Sequence, residues 1–341
     1  MTSASWFLML VVAVHAFVFH VLPRLSRPDI LFAVTVSEAF VAGEGRRLVF
    51  HYRTIVWIGA AAALAISLLL SATRPDSVWQ ALPVAGNVVV ASTAWYLAHR
   101  KARAHAVPPS DVRVASLVPR DSSLPGGALF AAGPFAILLA AALVVYTYRG
   151  DGPDGADASN PFGLLELAAV QVAIMLTIAV TMVGRSRQIA VDGPAAAAEQ
   201  RFRRVNALVP VLVGYLGAIA MSAMTVASMP AFANTLGGVV WYLPQLAFML
   251  FGLGVASWMF RVGQGGQRAV SPAARRDVHG DATPDHAWRV GGMYYVNAND
   301  PAMWVENRVG LGYTLNLGNW RAWLLIVGMI LAFMVVSRLV F

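Results

Sequence analysis

The sequence predicts an all-α integral membrane bundle of about eight transmembrane helices with a small cytoplasmic β module. Composition is the first reason. Of 341 residues, 58% are hydrophobic and 12% charged, with a mean hydropathy of +0.64. Soluble domains carry about 25% charged residues. The second reason is a set of eight apolar segments, each near the roughly 20 residues a helix needs to cross hydrocarbon. The third is an alternation of basic residues between the loops.

The segments lie at about 5–22, 54–72, 78–98, 127–148, 163–183, 206–228, 238–260 and 320–340. The first follows Met-Thr-Ser-Ala-Ser, without the basic region of a signal peptide, and is expected to remain as an uncleaved span. Pro83 and Pro210 fall close to expected helix starts, where proline costs little. Pro134 and Pro244 lie further in and predict kinks.

Lys and Arg number five in 23–53, five in 99–126, five in 184–205 and six in 261–319. The alternate loops 73–77, 149–162 and 229–237 hold one, one and none. Basic loops stay on the cytoplasmic side, so the four large loops are expected inside and both termini outside. The net charge of +8 does not point to nucleic acid, because the basic residues are scattered without a basic helix or an aromatic-interleaved patch. The chain has no cysteine, which excludes disulfides, thiolate metal sites and cysteine nucleophiles. The expected partners are the lipid bilayer and a cytoplasmic protein, with no nucleic acid and the oligomeric state left open.

Residues 1–260 read as a bundle of seven spans, 261–287 as a flexible linker, 288–319 as a cytoplasmic β motif and 320–341 as the last helix. The linker reading rests on "VGQGGQRAVSPAARRDVHGDATPDHA", which is polar, Gly/Pro-rich and aperiodic. In the β motif, "GGMYYV", "AMWVEN" and "YTLNL" predict three strands separated by turn compositions. Such a meander is marginal alone. The apolar run Leu31 to Val36 in the first loop is expected to add a strand to it, clamping the first and last loops together. Ser37 is expected to cap a short helix leading into the second span.

Intramembrane ionisable groups are functional candidates by default. Glu166 is the only carboxylate within an apolar segment, about one turn into the fifth, where it reads either as an interfacial residue or as a cation site. Asn87 and Gln245 are expected to be buried amides joining helices. His15 and His20 are five residues apart and point to different helix faces, which disfavours a metal site. Asp151, Asp154 and Asp157 lack the alternate spacing and late Glu of a calcium loop and predict a solvated turn. There is no H-E-x-x-H, G-x-S-x-G, P-loop or paired intramembrane Asp, so neither a catalytic residue nor a cofactor is expected. In the β motif, Asn297, Asp300 and Asn316 serve as turn formers or, with Arg308, as a recognition patch for a partner.

The same stretch resembles a family of uncharacterised bacterial multi-span membrane proteins, a domain of unknown function. That family's motif reads Y-N-x-x-D-P followed by V-x-x-R-x-G-x-G-W-T-x-N-F. Tyr295, Asn297, Asp300, Pro301, Val305, Arg308, Gly310, Gly312, Thr314 and Asn316 match it, with Tyr313 in place of Trp, Leu317 in place of Phe and one extra residue after Tyr295. The first loop is similar to the family's P-x-x-L-F-G-V-x-V-P through Pro28, Leu31, Phe32, Val34 and Val36, with Ala33 for Gly and Ser37 for Pro. The resemblance implies a bacterial inner-membrane location but no activity. Some distant relatives are similar to SdpI-type immunity proteins. The function expected is therefore a non-catalytic sensor or immunity-type protein with a partner-binding β module. The alternative is a transporter of a lipid-like or amphiphilic substrate through a polar path of Glu166, Asn87 and Gln245.

Overall fold

The structure, a computed structural model, describes residues 3–74, 78–108, 122–148, 160–187, 189, 193–229, 231–232, 238–271 and 280–340. The aspartates Asp151, Asp154 and Asp157 lie outside the described residues. The chain is mostly helical: α1 (Ser3–Val21), α2 (Glu38–Ala42), α3 (Glu44–Thr73), α4 (Leu82–Arg103), α5 (Gly127–Tyr148), α6 (Gly163–Arg185), α7 (Gly193–Ala227), α8 (Val239–Val262) and α9 (Trp320–Val340). Among the described residues, seven of these helical stretches, those of α1 and α3 to α8, are long and apolar enough to cross a membrane. α9 adds a shorter apolar run, Trp320–Val335. Large apolar side chains such as Phe7, Leu69, Leu139 and Leu253 are exposed on these helices, which is compatible with contact to lipid.

Ser37 caps α2 as expected, its hydroxyl accepting from Phe40 N at 3.2 Å. Pro83 sits in the first turn of α4, while Pro134 and Pro244 lie inside α5 and α8. Pro210 departs from expectation. The polar stretch before the sixth apolar segment, which the sequence also predicts as a helix from about Ala195, is continuous with that segment, so Pro210 is an interior residue of α7.

The chain divides into two compact units. The first comprises residues 1–114, 263–296 and 306–314; the second comprises 115–262, 297–305 and 315–341. In the second unit, small residues admit large neighbours. A Cβ on Gly133 of α5 would lie 1.9 Å from the Tyr215 hydroxyl of α7. One on Gly217 of α7 would meet the Gln171 side chain of α6 at 2.1 Å. Close approach through small residues is how helices associate where the surroundings are as apolar as the side chains.

The first unit packs α1, α3 and α4 around buried faces at helical spacing. Tyr52, Val56, Ala60 and Ala63 face inward on α3, and Ala91, Ala94, Trp95, Ala98 and Ala102 on α4. Into this core drops the tip of a tight hairpin. β1 (Ile30–Leu31) pairs antiparallel with β2 (Val34–Thr35), and the two residues between them, Phe32 and Ala33, have φ of 49° and 63°. Positive φ at both centres is the turn whose twist suits a two-residue hairpin. Phe32 is fully buried, its ring 5.1 Å from that of Tyr52 and 5.2 Å from that of Trp95.

The expected three-stranded meander is not formed. β4 (Tyr294–Tyr295) pairs with β3 (Trp288–Arg289) upstream of it, while β5 (Trp304–Glu306) pairs with β6 (Tyr313–Leu315). The first-loop run is a separate hairpin and adds no strand to either. Each strand is two or three residues long, and beside β5 and β6 side chains take backbone groups that a longer ladder would use: Gln264 holds Gly312 and Asn316 holds the Ala302 carbonyl. The linker expected over 261–287 is likewise ordered in its described parts: Gln264–Ala269 forms a 3-10 turn, and Asp281 and Thr283 are buried.

Gly292 lies against the hairpin tip, where a Cβ would fall 2.0 Å from that of Ala33, at a φ of +87°. Gly292→Ala is expected to cost about 2–4 kcal/mol, from left-handed strain and overpacking. Adding Ala33→Gly should restore the overpacking share, read as a partial recovery of thermal stability in detergent. A double variant no more stable than Gly292→Ala would show that this approach is not the constraint.

Candidate functional site: a buried polar module

Arg308 organises the first unit. Its Nε and Nη2 donate to the two carboxylate oxygens of Asp281 at 2.7 and 2.8 Å. Nη1 donates to Asp285 Oδ1 at 2.5 Å and to the carbonyl of Ala33 at 3.0 Å. Nη2 also reaches the Thr283 carbonyl at 2.8 Å, and the guanidinium lies 5.2 Å from the centre of the Trp288 ring. The ion-paired side chains of Arg308 and Asp281 are 0% and 2% exposed. Burial pushes the Asp281 carboxyl upward, but the Arg308 charge and the bonds from Arg308 and Thr283 outweigh it, and the group is held below its ordinary range. The same carboxylates raise Arg308 against the opposing effect of burial.

A second forked pair lies in the same unit. Arg27 donates Nε and Nη2 to Glu306 Oε2 and Oε1, both at 2.8 Å, and Nη1 to the Gly280 carbonyl at 3.2 Å. Left-handed Gly265 packs directly on this pair; a Cβ there would lie 2.7 Å from Glu306 Oε1. Gln264 completes the set. Its amide donates to Gly312 O at 2.7 Å and accepts from Gly312 N at 2.9 Å, taking the place of a neighbouring strand.

Asn316 organises the corresponding part of the second unit. Its Oδ1 accepts from Asn297 N and Gly318 N, both at 3.0 Å. Its Nδ2 donates to the carbonyls of Asn297, Asp300 and Ala302 at 2.9, 3.2 and 3.2 Å. Asp300 closes its own turn onto Ala302 N and pairs with Arg187 at 2.9 Å. The segment also docks on the end of α6, through Met303 N to Arg185 O at 2.9 Å and Arg187 N to Trp304 O at 2.7 Å. Asn319 caps α9, accepting from Arg321 N at 3.0 Å.

Of the two readings given to these residues, the geometry fits turn formers: Asn297, Asp300 and Asn316 each accept from the backbone N–H two residues on. Asn297, Asp300 and Asn316 come together, but Asp300 and Asn316 are buried, and Arg308 belongs to the other unit and is buried there. These groups bond inward because a buried polar atom without a partner costs about 1–3 kcal/mol. Sequence reasoning missed Asp281, Thr283, Asp285, Arg27, Glu306 and Gln264. The available signal was Asp281 two residues before Thr283, a spacing at which an aspartate closes its own turn, here onto Thr283 N at 3.0 Å.

The intramembrane candidates separate in the same way. Asn87 is buried in the first unit and joins α4 to α1, its Nδ2 lying 3.0 Å from His15 Nδ1 and 3.4 Å from the Val12 carbonyl. Glu166 is half-buried in the first turn of α6, where the helix dipole favours a carboxylate, and accepts from Asn160 at 3.2 Å. Gln245, expected buried, is exposed on α8. No group of His, Asp or Glu among the described residues is arranged to hold a metal.

Residues 298–323 match the model of a family of unknown function, DUF5808. Neither a curated protein nor a solved structure matches the chain. The matched segment contains Arg308, the hub of the buried network in the first unit, and Asn316, the hub of a separate network in the second.

Proposed function

We propose that the chain is a multi-pass protein of the bacterial inner membrane, acting without catalysis as a sensor or immunity-type protein. The Arg-rich loops lie on the cytoplasmic side, the termini outside, and a protein partner binds the exposed β3–β4 hairpin rather than the buried polar residues. The supporting observation is the exposed face of the β3–β4 hairpin. Arg289, Tyr294 and Val296 are exposed there, and Val290 at its tip is 64% exposed with a φ of 49°. A β-branched residue at positive φ is a local strain that persists only where the surroundings enforce it. Trp95 Nε1 supplies part of that enforcement by holding the Gly291 carbonyl at 3.0 Å. The partner surface thus moves from the buried motif residues to this hairpin. The transporter alternative draws no support from Gln245, which is exposed on α8.

A photo-crosslinking residue at Tyr294 is expected to yield a discrete protein adduct in intact cells that the same residue at Arg46 does not. Single cysteines, informative in a chain that has none, should be labelled by a membrane-impermeant reagent at Val78 in intact cells, and at Arg46 only after the membrane is opened. No protein adduct at Tyr294, or the opposite labelling pattern, rejects the reading.

A further inference from the structure

We infer that the first unit carries a binding pocket for a phosphate-bearing anion at the end of α1. A cavity of about 270 Å³ is lined by Arg24, Ser26, Arg27, Gln264, Gln267 and Arg268, over a floor that includes Ile30, Leu31 and Val41. Among the described residues no Asp or Glu lines it. Arg27 is neutralised by Glu306, and Ser26 and Gln264 are engaged with Arg308 O and Gly312. Arg24 differs. Its exposed guanidinium has no hydrogen-bond or ion-pair partner among the described residues, and neither has the Gln267 amide. Arg268 is held beside Arg24 by a bond from its Nη2 to the Arg24 carbonyl at 2.5 Å. Gly263 allows this: a Cβ there would sit 2.7 Å from Arg268 Cγ.

The charge continues onto the adjoining helix. Arg53 of α3 donates Nε to the carbonyl of His20, one turn before Arg24, while its Nη2 is buried without a partner. A cationic recess that brings two arginines and an amide donor above an apolar floor suits a phosphate carried on a glycerol-sized group. A guanidinium meets phosphate oxygens with two parallel donors. The position, directly after an apolar helix, is where lipid headgroups lie and where basic recesses recognise anionic lipids. The phosphate could come from such a headgroup or from a soluble phosphate ester.

The test uses the whole purified protein and does not depend on any protein partner. Native mass spectrometry is run with phosphatidylglycerol and phosphatidylcholine, and thermal stability is followed with inorganic phosphate and glycerol phosphate. Preferential retention of phosphatidylglycerol, weakened roughly tenfold by Arg24→Gln or Arg268→Gln but not by Arg46→Gln, supports a headgroup site. A bond to a charged group contributes about 1.5 kcal/mol or more, which is about tenfold in affinity. Stabilisation by glycerol phosphate that is lost in the same two variants supports a soluble source. Equal effects of all three substitutions, or none, overturn the pocket.

Discussion

Arg308→Ala is expected to lower the stability of the first unit by about 3–5 kcal/mol, because it leaves buried carboxylates without their counter-charge. The loss should be localised. Hydrogen exchange in 280–296 should accelerate most, since Asp281, Thr283 and Asp285 all bond the guanidinium. Arg308→Lys should fall between, because an ammonium cannot reproduce the fork onto both Asp281 oxygens. Asp281→Asn combined with Arg308→Ala should recover part of the loss by removing the stranded charge.

The dependence on pH has a definite sign. The Asp281 carboxyl is held below its ordinary value of 3.8 in the folded chain. Its contribution is therefore fully present above that value and is lost as the pH falls through the lower, folded one. In Arg308→Ala the stabilising charge is gone and burial remains, so the sign reverses and mild acidification should raise the protection of 280–296 relative to the intrinsic exchange rate at each pH. Exchange that is unchanged between the two proteins at neutral pH would remove Arg308 from its place as a hub.

Asn316→Ala is expected to cost about 3 kcal/mol or more in the second unit. One side chain satisfies two N–H groups and three carbonyls, and each group left buried and unpaired costs about 1–3 kcal/mol unless water reaches it. Asn316→Asp should be no better. It retains an acceptor for Asn297 N and Gly318 N, but sets a carboxylate against three carbonyl oxygens. The measurement is thermal unfolding in detergent, with proteolysis near 297–305 as the local readout. Resistance equal to that of the parent would show that the segment is held by its docking on α6 alone.

Long apolar runs were legible because helix length and hydrophobicity are local properties, and the Ser37 cap was legible for the same reason. The first-loop hairpin was not. A positive φ at Ala33 is ordinarily announced by glycine, and alanine there leaves "ILFAVT" looking like one continuous strand. The motif marks Arg308 as a candidate, but its guanidinium faces inward rather than toward a partner. Its carboxylates lie in a Gly/Pro-rich stretch that, by composition, resembles a linker. Whether a charge faces water or a distant aspartate depends on contacts far apart in sequence, which composition does not report. Gln245 shows the same limit in reverse: an amide in an apolar segment was read as buried, and the helix presents it outward.

The Arg308 bond to the Ala33 carbonyl spans 275 residues, and the Arg27–Glu306 pair spans 279. At translation rates of about 5–20 residues per second, tens of seconds separate the synthesis of the two ends of each bond. During that interval α1, α3, α4 and the first loop are present while the Ala33 carbonyl lacks the donor it has in the complete chain. A ribosome that stops before Arg308 releases a chain whose early helices are all present and whose first loop stays unlocked. The C-terminal motif therefore supplies the last partners of the first loop, and chains truncated before Arg308 are expected to be cleaved in that loop more readily than the full chain under limited proteolysis.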